Sequence, residues 1–210
     1  MRQPPVMSIS SFPQRLESGW CCRMNWVHCA GVTMIEVMIT IVILSVALLG
    51  LAKLEINFQV TEMESYQRSQ AMLLMKDMVN RVNTNRKLAT TYVTSSAQGT
   101  GMTCPTTTSS STLAQVDLAE WCLALQGAAE VIGTNKTGSI IGARGCVQQL
   151  TNPNEYMVTV AWQGMVPLVA PATSVACGVG QYYTSNGSVC DSTELCRRAV
   201  TMVIRIEPLS

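Results

Sequence analysis

Hydrophobic positions are spread very unevenly along the chain. From Val32 to Ala52 they run for about 21 residues with one charge, Glu36, and with only Thr33, Thr40 and Ser45 as further polar side chains. An apolar helix of about 20 residues crosses the ~30 Å hydrocarbon core of a bilayer. Past this run the pattern becomes a stripe. Leu54, Phe58, Thr61, Ser65, Arg68, Met72, Met75, Val79 and Val82 recur at spacings of three and four, apolar at both ends and polar in the middle. No proline lies between Val32 and Lys87, and Arg81, Arg86 and Lys87 sit where cations favour a helix C-terminus. The pattern predicts one helix from Val32 to Arg86, about 55 residues and roughly 80 Å long at 1.5 Å per residue. Its first half is expected in the membrane and its second half on a globular head. Gly50 is its weak point, since an interior glycine costs roughly 1 kcal/mol against alanine. Met72, Met75 and Met78 read as core packing and not as a thioether metal cluster.

After the helix the periodicity breaks. Thr90–Ser111 is rich in Thr, Ser and Gly and reads as a loop. A second, shorter helix is expected over Thr112–Ala129, with Thr112 as its N-cap and Asp117 near the first turn. Leu113, Val116, Glu120, Leu123 and Ala124 describe one side, with Trp121 and Leu125 beside it. Trp121 reads as a core anchor. Gly127–Gly138 is turn-rich, and three stretches then alternate with a period of two: Ser139–Leu150, Glu155–Gln163 and Arg198–Glu207. Tyr156, Val158, Val160 and Trp162 share a face opposite Met157, Thr159 and Ala161. Val200, Met202, Ile204 and Ile206 alternate with Ala199, Thr201, Val203 and Arg205. The turn Thr151–Asn154 joins the first two strands as a hairpin. Gly164–Leu195 is a long irregular segment with the SNGS turn, and cross-linking is its simplest stabiliser. The predicted class is α+β: a long N-terminal helix, its first half membrane-spanning, packed on a small antiparallel β-sheet head.

Charge and cysteine usage sharpen this picture. The net charge of +1 and a pI near 7.5 offer no concentrated basic patch, so nucleic acid is not an expected partner. Of nine cysteines, Cys21, Cys22 and Cys29 precede the apolar run, and Cys104, Cys122, Cys146, Cys177, Cys190 and Cys196 follow it. An even set of six beyond a membrane anchor reads as disulfides formed in an oxidising compartment such as the periplasm. Fifteen connectivities remain open. No C-x-x-C pair is present and the only histidine, His28, lies before the run, so neither a metal site nor a cofactor is expected.

The order Gly31, Val32, Thr33, Met34, Ile35, Glu36, followed at once by the apolar run, resembles the processing site of type IV pilins. The whole segment to Ala52 is similar to the minor pilins of the type IV pilus modification protein PilV family. The segment LLMKDMVNRVNTNRKLA with Asn85-Arg86, the helix segment DLAEWCLAL, the AWQG stretch and the Arg197-Arg198 strand resemble further stretches of that family. One departure is Val32, where the family usually carries an aromatic residue or methionine. The resemblance implies that a prepilin peptidase cuts between Gly31 and Val32 and methylates the new N-terminus on Val32. It also implies that Glu36, fifth in the mature chain, pairs with the N-terminal amine of a neighbouring subunit during assembly.

On this reading residues 1–31 are a leader, 32–53 the transmembrane and filament-core half of the helix, 54–88 its exposed half, and 89–210 the disulfide-bearing head. Removing 31 of 210 residues leaves a mature chain of 179. Arg2, Arg15 and Arg23 against Glu17 favour retaining the leader in the cytoplasm. A start at Met7 or Met24 would shorten it, and a conventional signal peptide cut near Gly50–Ala52 would leave Glu36 unexplained. The expected partners are the prepilin peptidase, other minor and major pilins, the inner-membrane assembly platform and the membrane. The expected location is the bacterial inner membrane, single-pass with a periplasmic head, and then the pilus filament or its tip.

Catalytic chemistry is not expected. Beyond residue 31 there is no histidine, no Walker loop and no dinucleotide fingerprint, and Glu62 and Glu64 lie on different helix faces. The expected function is that of a minor pilin in pilus assembly or initiation, with roles in twitching motility or adhesion. Two alternatives share the same N-terminal physics: a minor pseudopilin of type II secretion, and a periplasmic binding protein using the span only as an anchor.

Overall fold

The computed structural model describes residues 32–128, 131–133, 135–136, 140–182, 190 and 194–207. The expected leader with Gly31, and the SNGS turn, lie outside the described residues. The chain divides into two units, Met1–Leu48 and Leu49–Ser210. Helix α1 (Met34–Thr84) begins in the first and ends in the second. It is followed by a 3-10 segment (Arg86–Tyr92), β1 (Gln98–Gly99), α2 (Leu113–Leu125), the short hairpin of β2 (Val131–Ile132) and β3 (Asn135–Lys136), β4 (Arg144–Gln149), β5 (Glu155–Gln163) and β6 (Arg197–Arg205). A long apolar helix with a small antiparallel sheet is the α+β class that the patterning predicts.

Within the second unit, α1 turns Gln67, Ala71, Met75, Met78, Val79 and Val82 inward as one stripe. This differs from the predicted stripe. Met75, Val79 and Val82 belong to it, and Met78 is fully buried, but Leu54, Phe58, Thr61, Ser65 and Arg68 are exposed and Met72 is half-buried. The inward face runs instead through Gln67 and Ala71, both buried. The helix also ends at Thr84, and Arg86 and Lys87 fall in the 3-10 segment.

The sheet is antiparallel in the order β1-β4-β5-β6. Its register sorts the side chains into two faces. Gly145, Val160 and Val200 stand abreast on the helix side, as do Val147, Val158 and Met202. They join Tyr156, Trp162 and the α1 stripe in one core with Tyr92, Trp121 and Leu125. Each fully buried large side chain there contributes about 1.5–3 kcal/mol. On the other side Cys146, Thr159 and Thr201 stand abreast, beside Arg144, Ala161 and Ala199. Thr159 and Ala161 are fully buried there too. The disulfide Cys146–Cys177 accounts for this, because it ties the segment after β5 to the face opposite the helix. Arg197, also buried, bonds that segment at the Val175 and Cys177 carbonyls.

Thr112 caps α2 as expected. Its hydroxyl accepts from the Gln115 amide, and the Gln115 side chain accepts from the Thr112 amide, a reciprocal capping box. The side that α2 buries carries Ala114, Asp117, Trp121 and Leu125, whereas Leu113, Glu120 and Leu123 are exposed.

Candidate functional site

The start of α1 is built by Thr33. Its carbonyl accepts from the amides of Glu36 and Val37, and its hydroxyl accepts from the Glu36 amide at 3.3 Å. Thr33 is therefore the N-cap and Glu36 the third helical residue, the T-x-x-E arrangement that favours helix entry. Thr40 and Ser45 return their hydroxyls to the Val37 and Ile41 carbonyls at 2.9 and 2.7 Å. Their polarity is spent inside the helix. The Glu36 carboxylate, in contrast, has no hydrogen bond or ion pair among the described residues.

Around it every residue of the first unit from Val32 to Leu48 is exposed, with Met34 at 80% and Val32 at 70%. α1 is long and apolar enough to cross a membrane. Such a surface is tolerated only in lipid or against other apolar helices. For Glu36 the magnitudes decide what is missing. A carboxylate at membrane depth costs about 2.5–3.5 kcal/mol, while the helix N-terminus returns about 0.3–1 kcal/mol. The helix N-terminus alone leaves most of that cost uncovered, and no cation pairs with Glu36 among the described residues.

The head is fastened to α1 by two ionic knots that the patterning did not reveal. In the first, Arg81 donates from Nε to Asp77 at 3.0 Å, and from Nη1 to Asp117 at 2.8 Å and Glu120 at 2.7 Å. Burial disfavours the charged guanidinium, but bonds to Glu120 and Asp117 outweigh it and hold its pKa above the ordinary arginine value. Asp117 also accepts from the Tyr92 hydroxyl, which in turn accepts from Asn85. Burial, with the bond to Asp117, pushes the Tyr92 hydroxyl up to about 12. In the second knot Glu64 accepts from the Met165 amide at 2.8 Å and from Arg198 at 3.4 Å. Only the Asp77–Arg81 spacing of four was a readable signal for either.

The six head cysteines pair as Cys104–Cys122, Cys146–Cys177 and Cys190–Cys196. Trp121 is fully buried, donates its indole N–H to the Leu74 carbonyl and lies in the core. No cluster of three or more His, Cys, Asp or Glu suited to a metal ion occurs among the described residues.

Residues 26–52 match the family described as the prokaryotic N-terminal methylation motif. Residues 58–119 match the family described as Type IV pilin Tt1218. The first match contains Glu36 and most of the apolar run; the second contains Glu64, Arg81, Tyr92 and Asp117, the residues of the two knots on α1 and their near neighbours. No curated protein and no solved structure matches the chain.

Proposed function

We propose a minor-subunit role for this chain, which is a type IV pilin carrying the N-terminal methylation motif. In this reading a prepilin peptidase cuts between Gly31 and Val32 and methylates Val32, and Glu36 then pairs with the N-terminal amine of a neighbouring subunit. Residues 1–31 leave as the leader, 32–53 pass from the inner membrane into the filament core, 54–88 carry the head, and 89–210 form it on the periplasmic side. The six cysteines make the head an oxidised, disulfide-stapled unit suited to that compartment.

The observation that carries the reading is the Glu36 carboxylate, which has no partner among the described residues, at the head of an apolar helix that none of them covers. Apolar packing between helices supplies cohesion without choosing vertical register. One ion pair in hydrocarbon, where water does not compete, chooses it. The pilin family is structural, and no enzymatic role is proposed. The partners would be the prepilin peptidase, the other pilins and the inner-membrane platform, and the outcome would be pilus initiation with effects on twitching motility or adhesion.

The test is Glu36→Ala in cells. The variant should be processed normally, yet fall well below the parent in sheared pili. Normal incorporation would remove the registry role. A deletion strain that loses protein secretion but keeps twitching would move the chain to type II secretion.

A further inference from the structure

Strand β6 forms one edge of the sheet, and among the described residues no strand pairs with it on that side. The Ile206 amide donates to the Asn154 carbonyl and the Cys196 carbonyl accepts from Gly164. In the register of β5 and β6 this turns the even residues of β6 toward β5 and Ala199, Thr201, Val203 and Arg205 outward. None of these four has a backbone hydrogen bond outside the strand pair among the described residues. The strand runs nine residues in unbroken register, without proline or bulge. Edges that must not pair are usually short, bulged or interrupted, and this one is none of these.

Beside the same edge a groove opens between α1 and β6, lined by Thr61, Glu64, Arg68, Trp162, Arg198 and Val200. Its polar groups are mostly donors. Trp162 is buried and its Nε1–H has no acceptor among the described residues. Arg68 has no ion pair among them. The one acid, Glu64, already accepts from Met165 and Arg198. A strand added to β6 would turn the side chain opposite Val200 toward this groove, since side chains alternate across a sheet.

We propose that the β6 edge docks an extended segment of a neighbouring pilin subunit, added as a further strand, with an acidic side chain of that segment in the groove. Backbone bonds to Ala199, Thr201 and Val203 would supply affinity, and Arg68 and the Trp162 N–H would select the acid, while Arg198 stays bonded to Glu64 and to the Leu195, Arg197 and Val166 carbonyls. The source of the segment rests on the filament reading above; the chemistry of the groove does not.

The test uses the full processed chain in detergent and two blocked octapeptides of alternating threonine and valine. One carries glutamate and the other lysine at a single central position. The glutamate peptide should bind at least tenfold more tightly and slow amide exchange at Ala199, Thr201 and Val203 at least tenfold. Thr201→Pro removes an outward N–H without touching the β5 ladder, so the variant should fold and lose the peptide. Equal binding of the two peptides, protection elsewhere, or full binding by a folded Thr201→Pro variant overturns the proposal. A photo-crosslinker at Val203 in piliated cells should join an extended segment of another pilin. Peptide binding with a crosslink only to a non-pilin protein, or with none, overturns the assigned source while leaving the minor-subunit role intact.

Discussion

The indole ring of Trp121 lies against the bare Cα of Gly145, so that any Cβ at that position would overlap the ring. Gly145 faces the helix side of β4 opposite Val160, and Trp121 is pinned there by its bond to Leu74. Gly145→Ala is therefore expected to overpack the core and destabilise the head by about 1–3 kcal/mol. Urea unfolding of the oxidised protein should show a lower midpoint with an unchanged slope. An unchanged midpoint would mean that the ring has room to move.

The three acids around Arg81 should not be equal. Glu120 is half exposed, with 57% of its side chain open to solvent, whereas Asp117 keeps 11%. Glu120→Gln is expected to change stability by less than about 0.5 kcal/mol. Arg81→Met strands the Asp117 carboxylate and should cost about 2–3 kcal/mol. Thermal unfolding of the two variants side by side checks the order.

Two tyrosines make the head sensitive to alkali. Burial, aided at Tyr92 by Asp117, raises Tyr92 and Tyr182 to about 12 each. An unfolded tyrosine releases its proton near 10. Between those values the folded state holds protons that the unfolded state has lost, so this contribution to stability is complete below about pH 10 and is lost as pH rises to about 12. Each residue should account for on the order of 2 kcal/mol over that window. Tyr182→Phe should flatten the fall in stability between pH 10 and 12, measured by denaturant midpoints, and an identical slope would refute the assignment.

Disulfide removal should follow loop size. Cys146 and Cys177 are 31 residues apart and Cys190 and Cys196 only 6. Chain entropy gives about 4 kcal/mol for the first and about 2 kcal/mol for the second. The double serine variant of Cys146 and Cys177 should also uncover Thr159 and Ala161, which hydrogen exchange would register as faster exchange in mid-β5.

Much of this was readable from residue order. The apolar run, the period of two in β5 and β6, the hairpin at Thr151–Asn154 and the Thr112 cap are local signals, and local physics decides them. The buried stripe on α1 differs from the predicted one for a physical reason. The helix has apolar residues for two kinds of cover, and periodicity alone does not say which of them the head provides. Periodicity therefore places Phe58 and Leu54 on the predicted stripe although both are exposed, and leaves the buried Ala71 and Gln67 off it. β1 was invisible inside a Thr- and Gly-rich loop because two residues become a strand only through pairing with β4. The bond from Arg81 to Asp117, 36 positions away, and the choice among fifteen disulfide connectivities are set by the fold as a whole.

The role proposed for Glu36 depends on where the mature chain begins. Intact-mass and N-terminal peptide spectrometry on protein extracted from the cell envelope measures this directly. The predicted result is a chain that starts at Val32, one methyl group heavier at its N-terminus and with three disulfides intact. A chain starting anywhere else would put Glu36 at the wrong distance from a free amine and contradict the assembly mechanism.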